Sequence, residues 1–153
     1  MDIEIVETTD CDELAALNEP IQAWHHQNFP DDFKPFNAYE ISKAFKNLLT
    51  NRDCFALVAK SDGESIGYLV GIMKSRPESA FQYEKTILEI DQIAVVSGYR
   101  KLGVGKRLLD AACLRAREKG ISEIQLNHWA GNELAENFFG KNGFVYFNHR
   151  MRK

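Results

Sequence analysis

The hydrophobic period of this chain changes abruptly near residue 97. Thr86 to Val96 is a mostly apolar stretch that carries Glu89 and Asp91, and it reads as a long strand. Glycines at 98, 103 and 105 then turn the chain. From about Gly103 to Lys119, Leu108, Leu109, Ala112, Cys113 and Ala116 recur at helical spacing, and Gly120 stands at the C′ position. A strand that feeds straight into an amphipathic helix calls for a sheet covered by helices.

The remaining segments extend that reading. Ile3 and Ile5 alternate with acids and predict a short first strand. Asp10 can cap a helix running through Leu14, Leu17, Ile21 and Trp24. Pro30 and Pro35 break the chain, and Ile41, Phe45, Leu48 and Leu49 predict a second helix. Cys54 to Ala59 and Ser65 to Met73 are strands joined by the turn Ser61-Asp62-Gly63-Glu64, a β-hairpin. Ile121 to Asn127 predicts a strand, Asn132 to about Gly140 a helix, and Phe144 to Phe147 a last strand. The expectation is an α/β or α+β three-layer domain over residues 1–153. Its mixed sheet would have about six to seven strands, flanked by about four helices.

Composition narrows the function. A chain of 153 residues buries enough surface to need neither disulfides nor a structural metal. The three cysteines, Cys11, Cys54 and Cys113, form no CxxC pair and fit reduced thiols in a cytoplasm. The start of the chain lacks a signal-peptide pattern, and no apolar run approaches a membrane span. The net charge of −3 argues against a nucleic-acid partner. It is unevenly spread: residues 1–40 hold ten acids and one base, whereas residues 100–153 hold eleven bases and five acids.

The segment from Val95 to Leu109 can be tested against two phosphate loops. Walker A requires Lys where Val104 stands, and a dinucleotide-binding GxGxxG requires a third glycine at Leu108. What remains is Arg100-x-x-Gly103-x-Gly105 at the start of a helix, where free backbone N–H groups favour anions. This motif resembles the acyl-CoA pyrophosphate loop of the GNAT superfamily of N-acetyltransferases. Asn132-x-x-Ala135-x-x-Phe138-Phe139-x-x-x-Gly143-Phe144 is similar to that superfamily's N-x-x-A-x-x-L-Y-x-x-x-G-F segment. Ile124 to Trp129 resembles the "ELNVW" strand of a common bacterial branch. The region of His26, Phe29-Pro30 and Phe33-Lys34-Pro35 resembles that branch's first helix and loop.

The resemblance implies acetyl-CoA as co-substrate, no metal, and direct acetyl transfer to a primary amine of a small molecule or a protein. Backbone amides from Lys101 through Leu102, Gly103, Val104 and Gly105 to Lys106 would hold the pyrophosphate behind Arg100. The pantetheine arm would pair with the backbone of Ile93, Ala94 and Val95 like an added strand, and an amide there, that of Val95, would polarise the thioester carbonyl. Asn132 matches a family residue that contacts the CoA arm. Glu89 and Asp91 are the candidate bases, placed on one face by strand alternation. His25, His26 and Phe29 border the acceptor cleft. Family members often dimerise, so a homodimer is expected.

One departure matters. Phe139 occupies the position of the family tyrosine that protonates the leaving thiolate. Tyr99, Tyr146 or a water could replace it, or the thiolate could leave unprotonated. The chain could also be a non-catalytic acyl-CoA sensor. A nucleic-acid reading of the basic helix Arg100 to Lys119 is disfavoured, because Arg100 and Lys101 belong to the proposed anion loop.

Overall fold

The computed structural model describes residues 1–153. Ten elements follow in order, beginning with β1 (Glu4–Glu7), α1 (Cys11–Asn28) and α2 (Ala38–Leu48). The hairpin β2 (Cys54–Ser61) and β3 (Glu64–Arg76) follows, then β4 (Lys85–Val95) and a short 3-10 turn (Ser97–Tyr99). The chain continues through α3 (Val104–Glu118), β5 (Ile124–Gln125) and α4 (Glu133–Lys141). The sheet order is β1-β2-β3-β4-β5, antiparallel except for the parallel β4–β5 pair.

Local chemistry explains the boundaries. Asp10 accepts from the amides of Asp12 and Glu13 and starts α1. Asn37 and Asn132 cap α2 and α4 in the same way. Asp62 and Gly63 both have positive φ, 51° and 82°, which a two-residue hairpin of right-handed strands requires.

The sheet buries both faces. Leu108 and Leu109 of α3 pack on Phe55, Leu57, Leu69, Leu88 and Ile90 of the sheet. On the other face, Leu14 of α1 and Phe45 of α2 pack on Val58, Tyr68 and Val70. Each large apolar side chain so buried contributes about 1.5–3 kcal/mol. Side-chain ties lock the layers together: Arg107 donates to the Ile3 carbonyl at 2.9 Å, and Arg115 forms a two-armed pair with Glu7 while covering the Phe55 ring at 4.4 Å.

The α+β three-layer architecture is as expected, with two corrections. The sheet has five strands rather than six or seven. The strand expected from Ile121 to Asn127 shrinks to Ile124–Gln125, because Leu88↔Ile124 and Glu89↔Gln125 are its only pairs with β4. Beyond Gln125 the two chains part. The segment Phe144–Phe147 then forms no strand, and Val145 and Phe147 are left exposed. A last strand needs an extended neighbour, and β5 offers two residues.

Candidate active site

The parting of β4 and β5 creates the site. β4 continues from Ile90 to Val95 with no strand beside it on the β5 side. Its N–H and C=O groups there form an open edge, ready to pair with an extended ligand. The edge leads directly into the turn before α3. There the amides from Lys101 to Lys106 find no acceptor in the chain, and the first amide bonded into the helix is that of Arg107. No side chain caps this helix and no acid sits in its first turn. The positive end of the helix dipole is thus uncovered.

Backbone geometry keeps it so. Gly103 has φ 84°, and nothing lies within 4 Å of where its Cβ would stand. Lys101 is also left-handed, at φ 63°, a costly conformation for a residue with a side chain. Gly105 has a different reason: a Cβ there would meet the Phe138 ring at 3.1 Å. That glycine lets α4 close against the start of α3.

Charged side chains take little part in this arrangement. Arg100 folds back, donating from Nε to the Val95 carbonyl at 3.2 Å. Lys106 pairs with Asp110, one turn on, at 2.6 Å and is exposed. Leu102 and Val104 differ in burial: Leu102 is exposed on the turn, and Val104 is inside the core. Asn132 uses its Oδ1 to cap α4.

Above the gap, on the α1 face, stand the two acids. Glu89 accepts from Lys74 Nζ at 2.8 Å. Asp91 occupies a β-bulge: Gly71 pairs with Ile90 and Val70 with Gln92, which leaves Asp91 without a partner. The bulge shifts the alternation, so that Ile93 rejoins the apolar side of Leu88 and Ile90. Asp91 remains on the side of Glu89, because its charge is felt by Cys54 and Tyr68 in the α1 core. Desolvation, and then the neighbouring Glu89, push its carboxyl above the ordinary range, with the Gln92 hydrogen bond opposing.

Sequence reasoning missed the support beneath the bulge. Tyr68 donates to Gln92 Oε1 at 2.7 Å, and Asn18 of α1 donates to both Tyr68 and Gln92. Tyr68 is wholly buried and Asn18 nearly so. The available signal was a break in period: Leu88 and Ile90 are two apart, but Ile90 and Ile93 are three apart. A glutamine in that interval marks the slip.

The end of α1 and residues 29–36 form an aromatic wall. His25 stacks on Phe33 at 4.4 Å, and burial pushes its imidazole below the ordinary value. His26 bonds the Phe33 carbonyl through Nδ1 at 2.7 Å. Phe29 and Phe33 both pack at 4.8 Å on Trp129, which follows β5. Trp129 is a partly exposed member of this wall. The acidic loop is partly neutralised, since Arg152 holds Asp32 with both arms. Of the three replacements for a tyrosine at 139, Tyr99 is turned away toward Glu64 of the β2–β3 hairpin. Phe139 is buried. No group of three or more His, Cys, Asp or Glu residues could hold a metal, and no helix is long and apolar enough to cross a membrane.

An open strand edge running into an uncapped, glycine-bearing helix start can take an extended, anionic ligand by backbone. The sequence profile of the acetyltransferase (GNAT) family matches residues 18–144, and the chain belongs to that family. A protein of Lactobacillus delbrueckii subsp. lactis, described as an uncharacterized N-acetyltransferase in the pepI 3′ region, is 28% identical over 136 residues. That match covers 82% of this chain and 77% of the relative. A tetramutant of the BH1408 protein from Bacillus halodurans shares the fold at a TM-score of 0.90 and 19% identity, covering 100% of this chain and 99% of its own. The aminoglycoside N-acetyltransferase AAC(6')-Iy, solved in complex with CoA, superposes at a TM-score of 0.74 with 17% identity, over 99% of this chain and 92% of its own.

Proposed function

We propose that this chain transfers the acetyl group of acetyl-CoA directly to a primary amine. The observation that carries the reading is the unpaired edge of β4 ending at the free amides of residues 101–106. The two halves of the donor match it: an extended pantetheine arm fits the edge, and a pyrophosphate fits the helix start. Bound acetyl-CoA would supply the activated thioester.

The residues of the chain then divide the work. Backbone amides hold the donor, and an amide of the open edge polarises the acyl carbonyl. Asp91, with its raised pKa, takes the proton that the amine must lose before attack, directly or through a water. Glu89, tied to Lys74, adds negative charge where the ammonium first enters. Phe29, His25 and Trp129 wall the acceptor side and exclude water from it.

The acceptor is a small-molecule amine with an apolar portion suited to that wall; a protein amine is the alternative. One solved neighbour, AAC(6')-Iy, is seen with a bisubstrate analogue, CoA-S-monomethyl-acetylneamine, which favours the small-molecule choice. Calorimetric titration with CoA, followed by labelled acetyl transfer to a panel of amines, tests the reading. CoA binding with transfer to none of the amines would support a sensor instead, as Phe139 suggests. Absence of CoA binding would end both.

A further inference from the structure

Resting on the acetyl-CoA reading, we propose that Asp32 and Trp129 form a second, cation-binding subsite on the acceptor wall, filled in this structure by Arg152 of the same chain. The acceptor is then a diamine whose far ammonium displaces Arg152.

Three groups converge on the Arg152 guanidinium. Its Nη1 donates to Asp32 Oδ1 at 3.0 Å and its Nη2 to Oδ2 at 3.1 Å. Its central carbon lies over the Trp129 ring, 6.0 Å from the centroid. Asp31 adds its negative charge to that of Asp32. A carboxylate beside an indole face attracts an alkylammonium as well as a guanidinium.

The acid and the ring are fixed, whereas the cation is not. Asp32 sits in a turn closed by two bonds to the Phe29 carbonyl, from its own amide at 3.1 Å and from the Phe33 amide at 2.9 Å. Phe29 and Phe33 each pack on Trp129 at 4.8 Å, so the turn and the indole hold one another. The Asp32 side chain is only 26% exposed, while that of Arg152 is 72% exposed. Residues 147–153 belong to no helix or strand, and the two Arg152 bonds are the only hydrogen bonds they make. An exposed pair of this kind has little net worth, so a dissolved cation can replace Arg152.

Placement gives the subsite its use. Trp129 and Phe29 wall the acceptor side, where Asp91 takes a proton from the reacting amine. That nitrogen must become neutral, whereas a nitrogen at Asp32 must stay charged. A molecule with two amines meets both demands, and a monoamine leaves Asp32 to Arg152. The excess of acids in residues 1–40, ten against one base, thereby acquires a ligand.

The test compares acetyl transfer to straight-chain α,ω-diamines and to monoamines of matching length. The readout is the ratio of kcat/KM, diamine over monoamine. In the wild type it should be about tenfold or more at the best length and shrink as salt rises. Asp32→Asn keeps the side chain's shape, removes its charge and should bring the ratio close to one. Arg152→Gln removes the internal competitor and should lower the diamine KM about two- to fivefold, which raises the ratio. If the pair merely clamped the loop, both variants would move both series together and leave the ratio alone. A wild-type ratio near one, or no rise in Arg152→Gln, would overturn the proposal while leaving the acetyl-CoA reading intact. Transfer to neither series would overturn both.

Discussion

The two sides of the gap between β4 and β5 are built from different materials. The proposed donor side is main chain: an open strand edge, two left-handed turn positions and six unpaired amides from Lys101 to Lys106. The proposed acceptor side is side chain: two acids on β4, histidines and aromatics from α1 and the following loop, and Trp129 from beyond β5. A donor that never changes can be recognised by backbone, which almost any sequence supplies. An acceptor that differs from enzyme to enzyme must be recognised by residues free to vary. The two sides should therefore respond differently to substitution.

The largest effect is expected at Asp91. Asp91→Asn removes the proposed base and should lower kcat by about a hundredfold or more, with CoA affinity unchanged. The same variant sharpens the point through stability. The folded protein holds this carboxyl at a raised pKa, so it prefers the neutral form. Its contribution is full below the ordinary carboxylate range and is lost as pH rises through the raised value. Asp91 is exposed to solvent, so Asp91→Asn should raise Tm at pH 7 only slightly while it removes the acidic limb of the kcat profile. A fall in both Tm and activity would mark Asp91 as structural.

On the donor side, Gly105→Val should weaken CoA binding at least tenfold by calorimetry, since the new side chain meets Phe138 and crowds the amides. Lys106→Ala should change it less than threefold, because that charge is exposed and paired with Asp110. A reversed ranking would mean that charge, not backbone, holds the donor. Trp129→Ala should raise acceptor KM about five- to tenfold and leave KM for acetyl-CoA unchanged; equal effects on both would dissolve the distinction between the sides. Tyr68→Phe removes the hydroxyl that donates to Gln92 and accepts from Asn18, and denaturant unfolding should show a loss of about 1–3 kcal/mol. The smallest signal concerns Cys54. Burial, and then Asp91, push its thiol up to about 11, so a disulfide reagent at neutral pH should leave it untouched until the protein unfolds.

The same contrast explains what the sequence disclosed. The donor loop is local: Arg100, Gly103 and Gly105 lie within six residues, and their spacing survives in the linear text. Helices α1 to α4 were legible because each carries its own apolar residues at helical spacing, and α1, α2 and α4 also carry a capping side chain. The strands of the far edge were not. Phe144 to Phe147 is made of aromatic and β-branched residues that favour a strand, but a strand exists only with a neighbour, and the divergence of β5 removes it. The acceptor wall gathers Trp24, Phe33, Trp129 and Arg152 from both ends of the chain, and no spacing rule connects them. The bulge at Asp91 left only a single irregular interval between isoleucines.

Two residue pairs alone stitch β5 to the sheet, and α4 and the last twelve residues follow it. That corner should open far more readily than the β2–β3–β4 ladders, and its amides should exchange first. A donor lying along the gap would clasp both lips and act as a removable sixth strand. At a hundredfold excess over its Kd it would add about 2.7 kcal/mol to stability. Hydrogen exchange in residues 124–153 should slow accordingly when CoA is added. On this reading the supply of the co-substrate governs how long the folded protein lasts, as well as how fast it works.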